Sequence, residues 1–486
     1  MKRSAVAQWA ALFLLPLLVS CATYRNSLQR YHESLNRQQY EQASRQLDKN
    51  RLLKKERNKL LYYMEAGKLK RLQGDHAASN QYLNLADNYL EAKSKSLKDV
   101  AVSNLINPMS QSYRGEDYEQ FMLHYYKALN YVALGKIEDA VVEARRITLS
   151  NNRQNDKFRN EERYNADAFA MNLQGMIYEM AGDINNAFIA YRNAANLYQK
   201  NRDGYYGVTM PVQLEQDLQR TAKRMGFISE VASYTSFNPE NDVDTSGGGS
   251  IILFIEEGQA PIKKEKNFLL TNTGNGSRFT YINENGNEVS IPFFYDRYAI
   301  NENRLSAIKT VRVAVPTFGI ATSTPANKTI MSNGKNYEPE LAENINVLAT
   351  NILQERWATE LANAAARQIT KMAVQKAATA LTETIASISK DKADSTATAE
   401  QKEDANQKNN EKAKVIGQAA GFVFNAINTL TEKADTRNWQ SLPAFISYVR
   451  IPLQRGENIL ILQTNAGQKE FKIIGNGRLQ LLGVNL

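Results

Sequence analysis

Between Tyr24 and Phe227, Leu, Ala and Tyr recur every three to four residues and proline is almost absent. That spacing predicts a succession of amphipathic helices. The pattern stops at SYTSFNPENDVDTSGGGS, Ser233–Ser250, whose proline, acids and three glycines read as a linker. The period then falls to two. Ser250–Gly258, Arg278–Phe294 and Ile308–Phe318 read as strands, with Asn285-Gly286 as a hairpin turn. Near Pro339 a period of 3.6 returns. Leu341, Ile345, Leu348, Ile352, Trp357, Leu361 and further apolar residues to Ile388 form one stripe over 48 residues. Unbroken, such a helix would be a rod of about 70 Å. Lys390–Ala413 is charged and low in complexity and reads as a mobile segment; Val415–Leu430 reads as a second apolar helix. Strands at Ala444–Leu453, Glu457–Gln463 and Lys469–Gly475 close the chain.

The helical half carries internal repeats. In Ala168–Tyr198, Gly175 and Tyr178 precede a Gly182-Asp183 turn, and Ala187, Tyr191 and Ala194 follow it. Ala128, Tyr131, Gly135, Ala140 and Ala144 repeat this order, as do Gly67, Gly74, Ser79 and Ala86; a degenerate unit surrounds Ala43. Small residues let paired helices approach, and each pair needs a neighbour to cover its apolar face. These units resemble tetratricopeptide repeats. Gly74, Gly135 and Gly182 are 61 and 47 residues apart, against about 34 in the regular repeat, so Lys93–Asp117 and Ser150–Tyr164 read as inserts. Pro211–Phe227 reads as the closing helix, and the tyrosines 125, 126, 131, 178 and 191 read as core.

The expected fold class is therefore α+β: an N-terminal irregular, tetratricopeptide-like solenoid (21–230), a linker (231–250), and a small antiparallel β domain (251–486). That β domain carries a long helical insertion at about 340–432, with strands from both sides of it. Two separate β units are the alternative arrangement.

The first twenty residues add a compartment. Lys2 and Arg3 precede an apolar run from Ala5 to Val19 that is too short to span a bilayer. The run ends at Leu18-Val19-Ser20-Cys21, and Cys21 is the only cysteine in the chain. This stretch resembles the bacterial lipobox. The resemblance implies a cleaved signal peptide (1–20), a diacylglyceryl thioether on Cys21 and acylation of its new amine. One acyl chain holds a protein weakly at a membrane, whereas two or three hold it firmly. In such lipoproteins Asp after the cysteine often retains the protein in the inner membrane. Ala22 stands there, which points to the outer membrane, facing the periplasm.

Net charge is +9, or +7 without Lys2 and Arg3, with both signs well mixed and no long basic stripe. A nucleic-acid partner is not expected; anionic lipid or a cell-wall polymer suits the mild positive charge. The three histidines, 32, 76 and 124, share no short spacing, so no metal or cofactor site can be assembled from sequence. Gly247–Gly249 precede a strand rather than a helix, unlike a phosphate-binding loop. Glu256 and Glu257 are adjacent and face opposite sides of a strand, so they make no carboxylate pair.

Two groups remain as candidate sites. His124 and Lys127, with Asn172 and Gln174, are polar residues on first helices of repeat pairs, where a concave face would bind a partner peptide. Asp435, Arg437 and Trp439 read as a salt-bridged corner between helix and sheet, with a ligand site as the minor alternative. The block ADTRNWQSLPAFISYVRIPLQRGENILIL (Ala434–Leu462), together with SIILFIEEGQAPIKKE, resembles a largely uncharacterised family of bacterial envelope lipoproteins with repeat domains. That resemblance implies an envelope location and protein interaction, and no assigned activity. The expected function is a lipid-anchored envelope scaffold or adaptor that is not an enzyme. A regulator of peptidoglycan synthesis is the second reading, and a wall hydrolase or transglycosylase is the third.

Overall fold

The computed structural model describes residues 24–94, 108–157, 164, 166–201, 204–234, 247–272, 277–282, 287–293, 310–319, 323–357, 359–361, 363–368 and 433–486. Cys21 and the lipobox, the Asn285-Gly286 turn, segment 390–413, the 415–430 helix and most of the long helix lie outside these residues.

The molecule is α+β. Its helical half comprises α1 (Tyr24–Asn36), α2 (Tyr40–Lys49), α3 (Lys59–Leu72), α4 (His76–Ser94), α5 (Asp117–Ala133), α6 (Ile137–Lys157), α7 (Ala168–Met180), α8 (Ile184–Lys200), α9 (Val212–Met225) and α10 (Ile228–Val231). Each helix packs on its neighbours in sequence. Side-chain oxygens of Asp167 and Asp183 accept from Ala170 N–H (2.9 Å) and Asn186 N–H (3.1 Å), capping α7 and α8. Gly74, Gly135 and Gly182 follow α3, α5 and α7 with φ of +80°, +71° and +83°, the left-handed turn that ends a helix at little cost for glycine. Gly175 has a different role. A Cβ there would lie 2.4 Å from the Tyr191 ring, so its missing side chain is what lets α7 and α8 meet.

The strands are β1 (Gly247–Glu257), β2 (Lys263–Asn272), β3 (Ser277–Ile282), β4 (Glu288–Phe293), β5 (Thr310–Phe318), β6 (Lys328–Ser332), β7 (Lys335–Tyr337) and β8 (Glu340–Asn344). Helix α11 (Ile345–Glu355) follows, then β9 (Phe445–Gln454), β10 (Gly456–Thr464), β11 (Gly467–Gly475) and β12 (Arg478–Asn485). They form three four-stranded sheets, ordered β12-β1-β9-β8, β11-β10-β6-β7 and β4-β3-β2-β5. The antiparallel expectation fails at one pairing: β1 and β12 run parallel, Gly249 opposite Arg478 through Glu256 opposite Asn485. Strands from both sides of the 340–432 region do join, β1 with β9 and β6 with β10.

β1 is the middle layer of a three-layer stack. Ile252 and Phe254 face the helices together with Ile446, Tyr448 and Leu481. Ile251, Leu253 and Ile255 face the second sheet together with Ile451, Leu453, Ile330, Leu460 and Leu462. A strand buried on both sides reads as a continuous apolar run, as IILFI does here.

Four boundaries differ from the sequence reading. Helix α6 runs on to Lys157, into the Ser150–Tyr164 stretch read as an insert. Gly247–Ser250 belong to β1, not to a linker. A Cβ on Gly248 would lie 2.1 Å from the Leu453 carbonyl oxygen and one on Gly249 2.3 Å from that of Arg478, so bare backbone is needed where three strands converge. Residues 340–344 form a strand, and the helix starts only at Ile345, where Asn344 Oδ1 accepts from Val347 N–H (3.2 Å). That helix is interrupted at Arg356, after which helical residues reach 368. Finally, the helical and β halves share one core, which runs from Leu28 through Tyr191 to Phe254, Trp439 and Leu481.

Gly175→Ala should destabilise the protein by about 1–3 kcal/mol, the range for overpacking a filled core, although alanine favours a helix by about 1 kcal/mol over glycine. Denaturant unfolding reads the sign; a stabilised variant would show that the Tyr191 ring has room to move.

Candidate functional site: the polar seam between helices and sheet

The face that α3, α5 and α7 turn toward the first sheet is apolar except for a line of charged residues, and most of these are matched from the C-terminal half. Glu256 projects from β1 between Lys68 of α3, with which it forms an ion pair, and two tyrosines of α5. Tyr125 and Tyr126 donate their hydroxyls to its carboxylate at 3.1 and 3.0 Å. Lys68 also reaches Tyr126 Oη (2.8 Å) and Asn485 Oδ1 (3.0 Å). Burial opposes the charge on Glu256, but Lys68 and Arg71 outweigh it and hold its carboxyl below the usual range. Glu257, on the opposite face of β1, pairs with Lys328 at 2.8 Å.

Toward the start of α5 the matching groups come from the Ala434–Leu442 segment. Trp439 is fully buried, its ring set edge-on to Tyr126 at 5.7 Å between centroids. Its backbone N–H donates to Glu119 Oε1 (2.6 Å) and its indole N–H to Ser441 Oγ (3.0 Å). Gln440 N–H donates to Glu65 Oε1 (3.0 Å), and Tyr31 Oη donates to Glu65 Oε2 (3.1 Å). Arg437 grips both Asp435 oxygens, at 2.8 and 2.7 Å. Its remaining N–H groups donate to Asn58 Oδ1 (2.9 Å) and to the carbonyls of Gln111 (2.9 Å), Pro108 (3.0 Å) and Arg57 (3.2 Å). The guanidinium lies 5.3 Å from the Tyr113 ring centre. Asp435, Arg437 and Trp439 thus form a filled corner in which each polar group serves the packing of the C-terminal segment on the helices.

Several carboxyls in this seam resist ionisation. Burial pushes Glu65 up to about 7, and burial reinforced by the Glu116 carboxylate pushes Glu119 up to about 7. Burial acts the same way on Glu116 itself, but Arg356 and Lys263, both paired with it, hold it down at about 2. Asp167 and Glu343 make another pair across the seam. Their carboxyls share a hydrogen bond beside a water-sized cavity lined by Phe169, Tyr198, Tyr205 and Tyr206. Burial and the Asp167 charge raise Glu343 well above its ordinary value.

The four residues expected on an open concave face are not open. His124, Lys127, Asn172 and Gln174 are all buried. Asn172 donates to Tyr448 Oη of β9 (3.1 Å) and Gln174 to the Ala144 carbonyl of α6 (2.9 Å). His124 Nδ1 meets Glu143 at 2.8 Å. Asp87, His124 and Glu143 bring three donor atoms within 4.8 Å of one another, the spacing of a metal site. The cation between the two carboxylates is Lys127, 2.7 Å from Asp87 and 2.9 Å from Glu143, with Arg146 also on Asp87. A divalent ion would have to displace that ammonium, so the cluster is an internal ion pair. The chain's own sheet and neighbouring helices already occupy the face that a peptide would use.

Sequence reading missed Glu65, Lys68, Glu119 and Glu256 as a set. Each is a charge set among large apolar residues, in LLYYMEAGKL, DYEQFMLHYY and IILFIEEG. Since isolated charges are almost never fully buried unless paired, that placement was the available signal. No family model, curated protein or solved structure matches the chain.

Lys68→Met should cost about 3–5 kcal/mol by leaving Glu256 buried and unpaired, whereas adding Glu256→Gln should restore most of it. Equal losses in the single and double variants, measured by chemical denaturation, would mean that the ion pair is not what couples α3 to β1. Glu65→Gln tests the raised carboxyl. Folded Glu65 keeps its proton after the unfolded chain has lost it, so its contribution is full below about pH 4.5 and is lost as pH rises through about 7. Relative to Glu65→Gln, the wild type should therefore lose up to about 3 kcal/mol between pH 4.5 and 7.5, at about 1.4 kcal/mol per unit. Parallel stability curves would show an ordinary carboxyl.

Proposed function

We propose that this chain is a lipid-anchored scaffold of the bacterial cell envelope, held at the outer membrane through acyl chains on Cys21 and binding other envelope proteins without catalysing a reaction. The helical half is read as an irregular, tetratricopeptide-like solenoid. The shared glycine–alanine order of its units and the packing of each helix on the next in sequence support this.

The observation that carries the proposal is the seam. Ion pairs Lys68–Glu256, Glu116–Lys263 and Glu179–Arg450 tie the helices to the strands, and the side chains between them are buried. A body cross-linked in this way keeps a fixed shape, which suits a protein that holds partners at set positions. Recognition then belongs to outward surfaces, where Leu85, Val142, Ile189, Ile459 and Ile474 are exposed apolar side chains.

A photo-crosslinking residue placed in intact cells at Leu85, Val142, Ile189, Ile459 or Ile474 should yield protein adducts at one or more of these positions. The same residue at Asn172 should yield none. Adducts from Asn172 would mean that the seam opens to partners. Silence at all five outward positions in folded, membrane-bound protein would count against the scaffold.

A further inference from the structure

The positive charge of this protein is concentrated in one place. Residues 24–59 hold ten Lys and Arg against four Asp and Glu, a net +6, while residues 60–486 together carry +1. The structure gathers part of this excess at one end of the helical half. Asn50 Nδ2 donates to the Ser27 carbonyl of α1 (3.0 Å), while Asn50 Oδ1 accepts from Leu52 N–H (3.0 Å) and Leu53 N–H (3.1 Å). Leu53 and Leu28 are both fully buried. These contacts pin the turn after α2 against the first turn of α1. Lys49, Arg51, Lys54 and Lys55 are exposed on and beside that turn. The acids nearby offset little of this: Lys54 lies 4.0 Å from Asp48, and Glu56 pairs with Lys59 at 2.6 Å.

From this we infer that the basic end formed by Lys49, Arg51, Lys54 and Lys55 rests on the anionic headgroups of the membrane. The inference rests on the lipid-anchor reading of Cys21, and a simple length carries it further. Tyr24 is three residues on from Cys21, and extended chain covers at most about 3.6 Å per residue, so the start of α1 lies within about 11 Å of the backbone of the anchored residue. Ser27 is three residues further on, which adds about 4.5 Å in a helix. The Debye length near physiological salt is about 8 Å, so basic side chains reaching from this end fall inside the field of an anionic surface. Acyl chains then hold the protein, and the basic end sets which way it faces. The remaining helices and the first sheet follow from that contact, because they share its core.

The test uses the full protein bound to vesicles of phosphatidylcholine alone or with about one-third phosphatidylglycerol, an anionic surface of the kind that attracts basic segments. Hydrogen exchange reads each segment. Amides of residues 49–55 should exchange several-fold more slowly on the anionic vesicles. The difference should vanish in about 0.5 M salt, where the Debye length is about 4 Å, and also in the triple variant Arg51→Glu, Lys54→Glu, Lys55→Glu. All three side chains are exposed, so that variant should fold; unchanged exchange in α7 and α8 checks this. Intact mass of the same preparation reads the lipid on Cys21 separately. Lipidated protein whose 49–55 amides ignore vesicle charge would overturn the inference and leave the anchor standing. Unlipidated protein that still shows charge-dependent protection would keep the basic face and remove the anchor. Protection by soluble polyglutamate equal to that by anionic vesicles would overturn it in favour of an acidic polymer.

Discussion

Strand β1 lies between two apolar layers, helices on one side and the second sheet on the other, and its Glu256 is carried into that interior by the alternation of a β-strand. A buried carboxylate is costly unless it is paired and hydrogen-bonded. Its cationic partner comes from the helical half, because the even positions of β1 face the helices. Lys68, Tyr125 and Tyr126 therefore have to stand on two different helices at one height. That requirement fixes α3 against α5 and both against the sheet, and the helix–strand register elsewhere follows from it. Such a pair adds little net stability over an apolar substitute, since desolvation offsets the attraction. Its effect is on arrangement: a sheet shifted by one residue would put Glu256 among the leucines of the other layer.

The same economy appears at the C-terminal segment. Glu65 and Glu119 each accept a backbone N–H from residues 439–440, so a stretch without regular secondary structure finds its hydrogen bonds on helical side chains. Buried backbone donors must be satisfied somewhere. Burial raises both carboxyls above their ordinary range, which lowers the electrostatic cost of meeting that need.

Where a residue's periodicity and its environment agreed, the chain was readable. Helices α1–α5 and α7–α9, the strands β1, β5, β9, β10 and β11, and the burial of Trp439 fall where their patterns indicated, while α6 runs on to Lys157 through polar residues. Strand β2, KKEKNFLLTN, has neither alternation nor a β-branched run to mark it, and its pairing with β3 and β5 is what makes it a strand. Leu341 and Ala342 fit a helical stripe and a strand equally well, and pairing of 340–344 with β9 decided for the strand. The polar residues of the helices were misread for a different reason. His124, Lys127, Asn172 and Gln174 look like a solvated face when only the helices are considered. What covers them comes partly from positions 448 and beyond in sequence, which local pattern cannot place.

The parallel pairing of β1 with β12 has a consequence for how the molecule comes into being. Gly249 waits for Arg478, and Glu256 for Asn485, across most of the second half of the chain. Until those last residues emerge, one edge of β1 and the space beside Lys68 and Asn485 stay open to water, however complete the helices are. Contacts so distant in sequence are slow to form. The helical half can assemble early in synthesis, but the common interior can close only after the C-terminal strand has arrived.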